Sequence, residues 1–276
     1  METIILIVTA FITSSISAVL GMGGGIILLG IMALIIPEGY VVIALHGIVQ
    51  LISNLTRTFV FRNHIRKDII SQYLPGAILG LSLSALIVFT MISFFQVESA
   101  KEIKIDFLKP LIGIFILWFL FGKRHKIKTK HPHFFGVGAL SGLCTVFIGA
   151  TGPLIAPFFL KGKLTKENII ANKAMCQAIS HAGKIPLFII FFKFNYFAEL
   201  GVLVPLIIAV FIGTNFGKQI LQFIPEQIFR LLFRKKCQGR VREPPLQQLP
   251  LSHVLLMSFS IIFCTLFISF SLSISA

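Results

Sequence analysis

The sequence predicts an all-α, polytopic integral membrane protein with two inverted-topology repeats, and three observations carry that expectation. Composition is the first: of 276 residues, 56% are hydrophobic and 13% charged, with a mean hydropathy of +0.92, whereas soluble domains run near 25% charged. An ordinary cytosolic enzyme is excluded on that ground. The second is length, because apolar runs near twenty residues recur along the chain between short charged loops, enough to cross a hydrocarbon core of about 30 Å. A transmembrane barrel would instead show strictly alternating segments of roughly ten residues. The third is that glycine and proline clusters cut two of the runs in half.

About eight hydrophobic segments are expected, at residues 4–36, 40–62, 69–95, 107–122, 134–160, 166–192, 197–223 and 250–274. The first is interrupted by GMGGG at Gly21 to Gly25 and the fifth by GATGP at Gly149 to Pro153. Each of these is a broken pair of short helices or a re-entrant hairpin. The N-terminal METIILIVTAFITSSISA imitates a signal peptide, but it carries Glu2 and no basic residue, so it is expected to stay in the mature fold.

The formal charge of +15, from 25 Lys plus Arg against 10 Asp plus Glu, has to be read by position. Basic residues concentrate at 57–67 (Arg57, Arg62, Arg66, Lys67), 123–130, 161–166 and 230–242, and they are sparse at 37–40, 96–109 and 193–199. By the positive-inside rule the first four stretches are cytoplasmic and the other three external. Both assignments hold only if each broken segment returns to the side it entered from, which places both termini outside. Most of the charge therefore sets topology, and no nucleic-acid partner is expected.

The chain also repeats itself. Aligning Gly21 with Gly149 sets SSISAVLGMGGGIILL against GLCTVFIGATGPLIAP; at an offset of 127, ALHGIVQLISNLTR falls on ANKAMCQAISHAGK. Gln50 then matches Gln177, and Ile52 and Ser53 match Ile179 and Ser180. Three crossings separate the two breaks, so the second copy enters the membrane from the opposite side, as in many secondary transporters. The repeats are residues 1–122 and 134–276, joined by a basic cytoplasmic loop at 123–133.

In the first repeat His46, Gln50, Asn54 and Arg57 share one helix face; Lys173, Gln177, His181 and Lys184 repeat the spacing in the second. A charge at bilayer depth costs about 2.5 to 3.5 kcal/mol on insertion scales, so these stripes should face protein or water. None of the eight is acidic. Beside them, helices restarting at the breaks would offer unpaired N–H groups and the positive end of the helix dipole. Gly23, Gly24 and Gly25, with Gly149, Thr151 and Gly152, let the backbone approach a ligand, and Pro153 suits a first helical turn. The ligand expected from this set is a small anion.

Each feature has a plainer reading. Glycines allow close helix packing, and intramembrane polar groups act as interhelical glue. Arg57, near a cytoplasmic end, is expected to snorkel to the interface. Recurrence in two copies favours the anion site. Cys144, Cys176, Cys237 and Cys264 have no CxxC or metal-ligand spacing, so no metal and no cofactor is expected. A sulfur-handling thiol at Cys144 or Cys176 lacks a counterpart in the first repeat.

SAVLGMGGGIILL with ALHGIVQLISN, and GLCTVFIGATGPLIAPFFL with ANKAMCQAIS, resemble the two motif regions of the TauE/SafE family of sulfite and organosulfonate exporters. The resemblance runs from about residue 5 to residue 234 and includes IPEQIFRLLFR. It implies a bacterial inner-membrane secondary transporter of small sulfur-containing anions, driven by an ion or proton gradient. After Arg234 the chain departs from the family pattern, with RKKCQGRVREPPLQQLPLSH resembling a linker before the last apolar segment.

The expected function is thus anion transport, with Gly21 to Gly25 and Gly149 to Pro153 donating N–H groups. Gln50, Asn54, Gln177 and His181 would hydrogen-bond the anion while Lys173 and Lys184 offset its charge. His46 and His181 are the candidate proton carriers. A transporter of carboxylate or another oxyanion is the alternative. An anion channel is less favoured, and so is an intramembrane enzyme, since Cys176 and His181 lie off the i, i+4 register. A cation carrier would need intramembrane carboxylates or a thiolate cluster.

Overall fold

The computed structural model describes residues 2–103, 108–121, 133–160, 164–229 and 232–233. The chain divides into units Met1–Gly239 and Arg240–Ala276, and every described residue belongs to the first. The expected last segment at 250–274 and the 123–132 stretch lie outside the described residues, as does any test of Cys237 and Cys264.

Among the described residues the ordered elements are helical. The first broken segment forms α1 (Glu2–Leu20) and α2 (Gly24–Ile35); α3 (Gly39–Val60), α4 (Lys67–Phe95) and α5 (Leu108–Phe121) follow. The second forms α6 (Phe134–Phe147) and α7 (Gly152–Phe159), followed by α8 (Lys166–Phe191) and α9 (Leu200–Gln222). Short 3-10 turns at Arg62–His64 and Ala100–Glu102, which apolar periodicity does not signal, cap the connections. Five helices, α1, α3, α4, α8 and α9, are long and apolar enough to cross a membrane. At 1.5 Å per residue α2 is only about 18 Å long and α7 about 12 Å, well short of a hydrocarbon core.

Both expected interruptions are present. Gly21 and Gly23 adopt positive φ (69° and 98°) at the first, and Gly149 (84°) at the second, a conformation that a Cβ disfavours. Elsewhere local chemistry sets the ends. Thr165 opens α8 with a capping box to Asn168, satisfying orphan N–H groups. Pro75, Pro157, Pro186 and Pro205 sit inside helices, which packed helices tolerate at membrane depth.

The helices pair through small residues. A Cβ on Gly76 or Gly80 of α4 would meet the carbonyls of Phe135 or Ala139 on α6. Conversely, Gly138 and Gly142 of α6 lie against the Tyr73 and Ala77 carbonyls. Gly213 and Gly217 of α9 seat in the same way on Phe11 and Ser15 of α1. These contacts bring backbones together where the hydrophobic effect gives no preference between lipid and protein. Helices α3 and α8 also pack together, with α9 beside α3 and α4 beside α8. Much of α4 remains exposed: Leu74, Ile78, Leu83, Leu86 and Phe89 form an apolar outer face.

Candidate functional site

Both polar stripes turn inward at the packing of α3 on α8. His46, Gln50, Asn54, Arg57, Lys173, Gln177, His181 and Lys184 are all buried, none above 6% exposed. A small cavity of about 20 Å³ opens beside them. Its wall combines His46 and Gln50 of α3 with Lys173, Gln177 and His181 of α8. The two breaks complete it through Gly23, Gly25 and Ile26 on one side and Ala150, Gly152 and Pro153 on the other. Most of the expected site residues thus meet in one place.

Two glycines let the glutamines in. A Cβ on Gly25 would stand 3.0 Å from Gln50 Oε1, and one on Gly152 would stand 2.9 Å from Gln177 Nε2. Gly25 and Gly152, like Gln50 and Gln177, differ by the 127-residue offset found in the sequence. The breaks contribute unequally, however. At α2 the N–H groups of Gly24, Gly25 and Ile26 open the helix and lack intrahelical acceptors. At α7, Leu154 and Ile155 both donate to the Thr151 carbonyl, and Pro153 has no N–H. Gly152 is left as the main donor there.

The cations are held by neutral acceptors. Lys173 Nζ donates to the Gly21 carbonyl at 2.7 Å and to Gln177 Oε1 at 2.7 Å. Lys184 Nζ donates to the Ile43 carbonyl at 3.0 Å, above the Phe188 ring. His46 Nε2 donates to the Gly25 carbonyl at 2.8 Å. Among the described residues no buried side chain is Asp or Glu, so the positive charge meets no buried carboxylate.

Several expected residues stand elsewhere. Asn54, Gly24, Gly149, Thr151 and Lys184 are buried in the same region but do not line the cavity. Gly24 is a packing glycine, because its Cβ would meet the Thr13 carbonyl. Thr151 is tied through Ser141 (3.1 Å) and Ser180 (3.1 Å) to the Tyr73 hydroxyl. That file of hydroxyls braces the second break.

Arg57 does not snorkel. It is 2% exposed and donates to Ser17 Oγ (3.0 Å), Asn54 Oδ1 (2.8 Å) and the Ser53 carbonyl (3.2 Å). The planar guanidinium finds enough fixed acceptors inside to stay there. Cys176 packs among apolar residues including Tyr73 and Phe159, off the cavity wall. Met22, within the expected Gly21 to Gly25 stretch, belongs to the wall, as do Ser17 and Ile26 on either side of it; the stripes did not point to these two, and nearness to the first break was the available signal.

A family model described as "Sulfite exporter TauE/SafE" matches residues 6–234. The chain belongs to this family. TauE/SafE proteins are membrane transporters, in keeping with the long apolar helices, and the match takes in both breaks, both stripes and the whole cavity wall. No curated protein and no solved structure matches the chain. As a TauE/SafE member it is an integral membrane protein of the exporter type.

Proposed function

We propose that the protein is a secondary transporter of small sulfur-containing anions, sulfite or a sulfonate, across the bacterial inner membrane, with both termini external. The observation that carries this is the cavity wall itself, where Lys173 and paired glutamines meet two helix starts and no buried carboxylate opposes an anion among the described residues. The anion accepts from Gln50, Gln177 and the first N–H groups of α2 and α7, with Lys173 supplying charge. Lys184, Asn54, Thr151, Gly24 and Gly149 set the positions of those groups or the local field.

The two halves act as inverted repeats in this reading, 1–122 and 134–276 around the 123–133 loop. Support comes from the matched Gly25–Gln50 and Gly152–Gln177 approaches. The reciprocal packing of α1 on α9 and α6 on α4 supports it further. Alternating access would then exchange equivalent contacts between the halves.

Transport by purified protein in proteoliposomes tests the assignment. Gln177→Ala and Lys173→Ala should each abolish sulfite flux, and intact flux in both would reject the site. Stabilisation by carboxylates but not by sulfur oxyanions in a thermal-shift panel would select a different anion class. Counterflow of labelled substrate distinguishes a carrier from a pore.

A further inference from the structure

His181 is fully buried on the cavity wall, and neither of its ring nitrogens has a hydrogen-bond partner. Buried polar groups are almost always paired, so one left open on both sides needs an explanation. Its neighbour His46 differs: Nε2 of that ring is committed to the Gly25 carbonyl, which sets its tautomer. The two rings stand edge to face with centroids 6.1 Å apart.

The surroundings of His181 are cationic. Lys173 and Lys184 lie on the same helix, α8, and buried Arg57 lies on α3, whose neutral His46 faces the ring. From α4 the nearest titratable group is Tyr73, whose hydroxyl is engaged with Ser180. Helix α6 carries only the Cys144 thiol, and α7 carries no titratable side chain. With no Asp or Glu among the buried described residues, the negative charge that an imidazolium requires has to arrive with the ligand.

We infer that His181 is the proton site of the carrier, binding one proton together with each anion and releasing it when the anion leaves. The inference rests on the anion site proposed above. The anion stabilises the imidazolium and the imidazolium stabilises the anion, a reciprocal coupling required by linkage. Both ring nitrogens are open, one to take the proton from cavity water and the other to donate to the anion. His46, already holding Gly25, is a positioning residue.

The experiment uses thiosulfate, which does not itself titrate between pH 6 and pH 8, with the purified full chain. Calorimetric binding in two buffers of different ionisation enthalpy counts the protons taken up per anion. Wild-type protein should take up close to one, with affinity falling about tenfold per pH unit where that uptake is complete. His181→Gln and His181→Asn should still bind thiosulfate, with no uptake and a flat pH profile; His46→Gln should keep the uptake. Wild-type binding without proton uptake, or uptake retained in either His181 variant, overturns the proton site and leaves the anion site standing. Absence of any binding of thiosulfate, sulfite or methanesulfonate, or unchanged binding in Lys173→Met, overturns both.

Discussion

The ammonium of Lys173, on α8, donates to the carbonyl of Gly21, 2.7 Å away, at the start of the first helix break. A side chain from one half of the chain therefore holds the interrupted backbone of the other, directly on the cavity wall. In the proposed function, an anion entering the cavity would compete with that carbonyl for the same ammonium, linking binding to release of the break through one group.

Lys173→Met should remove the thermal stabilisation given by sulfite. It should also lower the stability of the empty protein, because hydrogen bonds to a charged group contribute about 1.5 to 3 kcal/mol. Melting in detergent with and without sulfite reads both effects. A ligand-induced shift equal to that of the wild type would show that the anion does not use Lys173.

Gly25→Ala and Gly152→Ala separate binding from folding. The new methyl meets the end of Gln50 at Gly25, and the ends of Gln177 and Lys173 (Nζ 3.4 Å) at Gly152, flexible side chains that can swing aside. Helicity and melting temperature should change little while anion affinity falls about tenfold or more, the scale of a lost charge-assisted hydrogen bond. Equilibrium binding with each variant makes the comparison, and equal affinity would place the anion away from these amides.

Gly47→Ala should uncouple α3 from α8. Its methyl would overlap Lys184 Cε, forcing the ammonium off the Ile43 carbonyl. Overpacking of this kind costs about 1 to 3 kcal/mol. Adding Lys184→Ala to Gly47→Ala should restore much of the lost melting temperature, and a double variant no more stable than Gly47→Ala would argue against this packing.

The contact between α4 and α6 is predicted to be intolerant of even one methyl. Gly138→Ala would press on the Tyr73 carbonyl, a backbone atom that cannot rotate away, whereas a Cβ on Gly136 meets nothing within 4 Å. Gly138→Ala should lower stability by about 1 to 3 kcal/mol. Gly136→Ala should be neutral or raise it by about 0.5 to 1 kcal/mol, as expected for alanine in a helix. Parallel melts of the two variants check the contrast.

Cys176 is completely buried among apolar side chains, so a water-soluble maleimide should not label it with or without sulfite. Cys176→Ala should transport normally. Loss of flux in that variant, with folding intact, would bring back a sulfur-handling thiol.

Much of this protein was legible in its sequence because the bilayer constrains it so strongly. Apolar length located α3, α4, α5, α8 and α9, and glycine clusters located both interruptions, since neither signal depends on distant neighbours. The i, i+4 spacing of His46, Gln50 and Asn54, and of Lys173, Gln177 and His181, identified inward faces for the same reason. The tertiary structure decided which of those residues share a cavity, because that depends on where α3 meets α8. It showed Arg57 to be an internal cation: Ser53 and Asn54 lie one turn back on α3, but Ser17 reaches it from α1 only in the folded chain. It also separated Gly25 and Gly152, which admit glutamines, from Gly24 and Gly138, which admit backbone. A glycine looks the same in every sequence; only the atom facing its missing Cβ tells the two uses apart.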